Sequence, residues 1–322
     1  MNEYVQRSKA ARRRVSELTL QQQNQILDIY RDAIAELGDR LKSPTARELD
    51  KYWMAGYRKA LIETEKEMAK ELRKNTKGAM GQAAEYGTDP QQEIMKDIIR
   101  ETGINTSEDS SKDFFMNVQK QVVENILGGN LYKDHKTLSR RIWNCTNKFG
   151  TNIQYVITKG LAEKKSAVEL AADLEEFVKE PAKRGWDWQK VYPRLRNAPV
   201  DYNAVRLART CINHAYQTAT IQSCRINPFV EGIEWQAAML AGRTCPLCME
   251  RDGQIYPVDD VPLDHPNGHC TMLPYIPKSM QEVTDELHDW LTGGDNTALD
   301  NWFDIFGDYF AGVKNTFEEG LK

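Results

Sequence analysis

The sequence predicts a mainly α protein, with a long N-terminal helical hairpin, a helical body and a small α+β C-terminal domain built around a Cys/His knuckle. Three observations predict it. Apolar residues recur at three- and four-residue steps over most of the 322 residues, the spacing of one helix face. Capping boxes and Gly or Pro stops punctuate those runs. Only residues 231–239 (EGIEWQAAM) alternate like a strand, and they lead directly into a Cys-rich stretch.

Taken in order, residues 5–41 read as one helix, with Val15, Leu18, Ile26, Tyr30, Ile34, Leu37 and Leu41 in a stripe on a charged rod. Ser43-Pro44 stops it, and Thr45 with Glu48 forms the capping box of a second helix carrying Trp53, Tyr57, Leu61, Met68 and Leu72. Two such helices make an antiparallel hairpin whose stripes need a third element or a partner to cover them, so self-association or dependence on a partner is expected. Residues 76–90, rich in Gly, read as a connection, with helix resuming at 90–102 and, after a polar loop, at 113–127. Gly128-Gly129-Asn130 is a left-handed stop. Helices follow at 138–149, 153–161 and, opened by the Ser166/Glu169 capping box, through Val178. Residues 180–200, with three Pro and two Trp, read as an irregular brace. Helix returns at 203–225, then at 279–291 and 296–313, the last both aromatic and acidic. The boundaries drawn are 1–90 (hairpin), 91–200 (body), 201–276 (knuckle domain) and 277–322 (acidic tail).

Charged residues make up 28% of the chain and the mean hydropathy is −0.64. No apolar run approaches the roughly 20 residues of a membrane span. The amino terminus has a basic cluster with no apolar stretch behind it, unlike a secretory signal. Six cysteines are too sparse for a disulfide scaffold, so a reducing compartment is expected. The net charge of −4 is uneven: residues 1–75 hold 16 Lys/Arg against 12 Asp/Glu (+4), and residues 277–322 hold three against ten (−7). A basic amino end suits contact with DNA or an acidic protein surface, and equally a solvated helix face.

The chemistry concentrates in residues 243–275. Cys245 and Cys248 stand as C-x2-C, and a 16-residue gap leads to His265, His269 and Cys270. Cys245, Cys248, His265 and Cys270 form the donor set of a closed structural Zn²⁺ site, with His269 a substitute ligand. The same residues also suit a metal-free buried knot or a Cys245–Cys248 redox pair. Asp252-Gly253 between the two groups predicts a two-residue hairpin turn with positive φ at both positions, and a thioredoxin-like dithiol would open a helix instead. No phosphate loop, nucleophile elbow or HExxH occurs in the chain. The nearest set to a catalytic one is Arg209, His214, Glu231 and Asp252, and Arg209 and His214 share a helix face poorly.

Residues 204–275 resemble the C-terminal domain of phage Mu F-like head morphogenesis proteins, or phage minor capsid proteins. The resemblance lies in ARTCINHAYQTA (208–219), the Trp235 strand, RTCPLCMERDGQIYP and HPNGHCTMLP. Cys211 stands where that family usually has an acid, and Gly268 and His269 stand where it has Cys and Arg. The resemblance implies a virion protein, present in few copies at the portal vertex, made in the host cytoplasm. Its implied partners are the portal and other head proteins, and its implied role is head assembly, DNA packaging or DNA ejection without an active site. The competing expectation is a phage-encoded enzyme, a nuclease or an ADP-ribosyltransferase-like toxin, with its site near Arg209 and His214.

Overall fold

The computed structural model of the chain describes residues 3–42, 51–102, 111–178, 201–239 and 244–310. The fold is mainly α: α1 (Glu3–Lys42), α2 (Lys51–Glu101), α3 (Lys112–Gly128), α4 (Leu138–Ala162), α5 (Ala167–Val178) and α6 (Tyr202–Cys224) precede a small sheet region. There β1 (Gly232–Gln236), the short α7 (Pro246–Arg251), β2 (Ile255–Tyr256) and β3 (Thr271–Tyr275) follow one another, and α8 (Met280–Leu291), α9 (Thr297–Phe306) and a 3-10 turn (Gly307–Phe310) close the described chain. The sheet order is β2-β1-β3, antiparallel throughout, with Trp235 opposite Met272 and Ile233 opposite Tyr256. The Ser43-Pro44 stop, the Thr45/Glu48 box and the 180–200 brace with Trp186 and Trp188 lie outside the described residues.

Two helices run on where the sequence predicts breaks. Residues 76–90 are not a connection but the middle of α2, with Gly78, Gly81, Gly87 and Pro90 inside the helix. Three glycines and a proline cost a helix interior about 6 kcal/mol. Burial of Met80, Ile94, Met95 and Ile98 returns about 1.5–3 kcal/mol each and outweighs it. Gly87 is small for a reason, since a Cβ there would stand 2.5 Å from the Tyr216 carbonyl oxygen of α6. Likewise α4 continues through Gly150, which packs on the Glu65 carboxylate with no room for a side chain. The Gly129 stop holds, with φ +84°, as do the Ser166/Glu169 box and a second box at Ser279/Glu282 that opens α8.

The chain forms two compact units, each assembled from separated segments: Met1–Leu18, Ala79–Ile126 and Thr210–Lys322 in the first, and Thr19–Gly78 and Leu127–Arg209 in the second. In both, α1 and α2 run antiparallel. Arg14 meets Asp89 at 2.6 Å in the first unit, and Asn75 donates to Gln25 at 2.5 Å in the second. The stripe on α1 is covered within the chain. Tyr30 packs edge-on against Phe149 of α4 in the second unit. In the first, the Tyr216 hydroxyl of α6 donates to the Ser8 carbonyl. Val15, Leu18, Ile26, Ile34, Leu37 and Leu41 are all buried, so these residues of α1 leave no exposed stripe for a partner to cover. The aromatic tail packs inward: Trp290, Trp302 and Phe310 join Tyr4, Ile98 and Phe115 in one core cluster of the first unit. The Trp302 indole donates to the Ile226 carbonyl at 2.9 Å.

Candidate metal centre

The site grows from the end of β1. Trp235, fully buried, sits in an apolar cluster with Cys248, Cys270, Met272 and Ile233, and this wall excludes water from one side of the cysteines. The C-x2-C does open a helix, contrary to the sequence expectation. Cys245 is the N-cap of the six-residue α7, Pro246 takes the first turn, and the Cys245 sulfur accepts the Cys248 N–H at 3.4 Å. The surrounding sheet is antiparallel, so the βαβ frame of a thioredoxin-like dithiol is not what holds it.

The Asp252-Gly253 turn also differs from the prediction. Asp252 has φ −58° and ψ 126°, Gly253 has φ +75°, and the Gln254 N–H returns to the Arg251 carbonyl at 3.0 Å. That is a type II turn, with only its third residue left-handed. The mirror-image turn is favoured where two twisted strands flank it, and here a helix enters instead. Asp252 gains a further role, accepting the Ala237 N–H at 2.8 Å.

The loop returning to the cysteines is a second type II turn, His265-Pro266-Asn267-Gly268. Asn267 has φ +67°, and the Gly268 N–H donates to the His265 carbonyl at 2.9 Å. It brings donor atoms into two overlapping groups. Those of Cys245, Cys248 and His265 lie within 4.8 Å of one another, and so do those of Cys248, Asp264 and Cys270. These five residues are close enough to hold a metal ion, with Cys248 common to both groups. His269 belongs to neither.

Asp264 is the residue that sequence reasoning missed. Its side chain is fully buried. One carboxylate oxygen accepts the His265 N–H at 2.8 Å and lies 3.9 Å from the Cys248 sulfur. The other accepts the Cys270 N–H at 3.0 Å and the Asn213 amide at 3.2 Å. Gly268 lies directly on this carboxylate, and a Cβ there would overlap it. The space a side chain at 268 would occupy is therefore filled by Asp264.

Helix α6 reads the whole loop with polar residues at i, i+3, i+4 and i+7. The Thr210 hydroxyl accepts the Asn267 N–H at 3.0 Å, and Asn213 holds Asp264. The His214 Nε2 lies 2.9 Å from the Asp264 carbonyl, to which it donates, and Gln217 donates to the Cys270 carbonyl at 2.9 Å. All four are buried. The available signal was the spacing of Thr210, Asn213, His214 and Gln217, polar residues recurring on one helix face. Arg12 of α1 continues the chain of contacts, donating to Asn213 at 2.7 Å. His214 is thus a loop anchor. Arg209 has its pKa lowered by burial, against the opposing influence of Asp201 and Tyr202.

The electrostatics separate the thiols. The Cys248 N–H and then its side chain hold the Cys245 pKa down, with His265 adding to the effect. Burial pushes Cys248 and Cys270 up. Burial disfavours charged His265, but the Pro266 carbonyl, Asp264 and Cys245 outweigh it and raise its pKa. The Nδ1 of His265 faces the Pro266 carbonyl at 3.1 Å. A carbonyl only accepts, so Nδ1 carries a hydrogen and Nε2 is the ring nitrogen left to serve as a ligand. A carbonyl-oriented imidazole is the usual arrangement of a histidine that ligates metal. Donor chemistry, ring orientation and spacing all fit a cation of borderline softness. Comparison of the chain with known protein families, with curated proteins and with solved structures found no match.

Proposed function

We propose that this chain is a minor head protein of a phage, acting by contact at the portal vertex, with its C-terminal segment stapled by a structural zinc ion. The observation that carries the reading is convergence. The separate pieces of the resemblance (ARTCINHAYQTA, the Trp235 strand, the C-x2-C and the HPNGHC loop) meet around one donor cluster. Each piece has a part in building it. Three sulfurs and an imidazole favour zinc over a hard cation such as magnesium or calcium. Buried Cys248, Cys270 and Asp264 favour a closed staple over a site with an open position for substrate.

Two measurements test this. Metal analysis of reduced, freshly purified protein should give one zinc per chain, and a metal-free protein would overturn the staple. Co-purification with the cognate portal should depend on a folded knuckle. Zinc-replete protein that never associates with portal or procapsid would overturn the head assignment while leaving the staple standing.

A further inference from the structure

The second unit carries a groove that the metal reading leaves unused. Helix α2 presents Lys70, Arg73, Lys74 and Lys77 along it, and the start of α4 contributes Arg140 and Trp143. Spacings of three, four and seven residues place the α2 cations on one face over about 10 Å of helix. All six side chains are exposed, Trp143 at 37%. Lys70 reaches Glu67 at 3.3 Å, an exposed pair of small energetic weight. No carboxylate among the described residues lines the groove. Five positive charges stand together around a large, solvent-facing indole, an arrangement with no evident value to the fold.

We propose that this groove binds a single-stranded nucleic acid, the cations tracking its phosphodiester backbone and Trp143 stacking on an unpaired base. Cationic grooves with an aromatic platform are the general solution to that ligand, because every base offers a π-face and every linkage a charge. The volume of about 720 Å³ suits a few nucleotides rather than a duplex. The inference narrows the sequence-level expectation of DNA contact by the basic amino end to one surface. It does not depend on the head-protein reading, since strand binding needs neither portal nor metal.

The test is fluorescence anisotropy of the full chain with a labelled oligothymidylate, a blunt duplex of equal length, ATP and polyglutamate. The strand should bind most tightly. Its affinity should fall about 100-fold between 50 and 200 mM salt, as about 0.7 of a counterion is released per phosphate over five contacts. Arg73→Glu with Lys77→Glu should weaken it at least tenfold, and Trp143→Ala about fivefold or more, with Trp143→Phe restoring most of the loss. Lys66→Glu, on an exposed part of α2 outside the groove, should change it less than twofold. Circular dichroism should show the variants folded, since every altered side chain is exposed. No strand binding at 50 mM salt would overturn the proposal, as would wild-type affinity in the groove variants. Duplex bound as tightly as strand with Trp143→Ala silent would overturn it too. So would equal displacement by polyglutamate, which would mark an acidic protein surface, or ATP bound as tightly as the strand, which would mark a free-nucleotide site.

Discussion

Replacing Asp264 with Asn should loosen the knuckle although almost no volume changes. The carboxylate receives the backbone N–H of His265 on one oxygen and the backbone N–H of Cys270, with the Asn213 amide, on the other. An asparagine can accept on one side only, and its NH₂ must then face a buried N–H. An orphaned buried donor costs about 1–3 kcal/mol, and the surviving bonds lose the strengthening that comes from an ionised acceptor. Together these give a loss of about 2–4 kcal/mol. At roughly 2–4 °C per kcal/mol for a unit of this size, the thermal midpoint should fall by about 4–16 °C. The assay is differential scanning calorimetry of wild type and variant, each with and without added zinc, alongside metal analysis. A midpoint within about 2 °C of wild type, with unchanged metal content, would refute the claim that this carboxylate builds the loop.

Chelation, or Cys248→Ser, should lower the stability of the first unit, because a structural ion contributes its binding energy to folding. Readdition of zinc should rescue the chelated protein but not the variant, and a midpoint indifferent to both treatments would remove the staple. Gly87→Ala should destabilise by about 2 kcal/mol or more, since the new methyl meets the Tyr216 carbonyl at 2.5 Å, a backbone oxygen rather than the end of a flexible side chain; a stabilised variant in urea titration would contradict the packing. Burial raises the pKa of Glu65, so the folded state holds its proton more firmly than the unfolded chain does. The stability this adds is fully present below about pH 4.3, the unfolded value, and is lost as pH rises through the folded one. Glu65→Gln should therefore raise the midpoint at pH 7 and leave it nearly unchanged near pH 4, and a gain seen only at low pH would show the sign to be wrong.

The sequence by itself determined the helical class, most helix termini and the C-x2-C that opens the Cys-rich stretch. Each of these is a local matter. A heptad-like stripe, a Ser-x-x-Glu box or a C-x2-C is written within a few residues, and its physics acts over the same range. What only the tertiary structure decided is everything in which distant segments meet. The continuity of α2 through three glycines and Pro90, and of α4 through Gly150, turns on burial against other helices. A propensity cost of a few kcal/mol cannot be weighed until the partner surface is known. The type of turn at Asp252-Gly253 depended on whether a strand or a helix entered it. Nothing near Asp264 in the sequence marks it, because Asn213 and His214, which bind it, lie about 50 residues earlier in the chain, and its burial comes from the return loop. A buried charge is specified by the donors that converge on it, and convergence is a property of the fold rather than of any stretch of sequence.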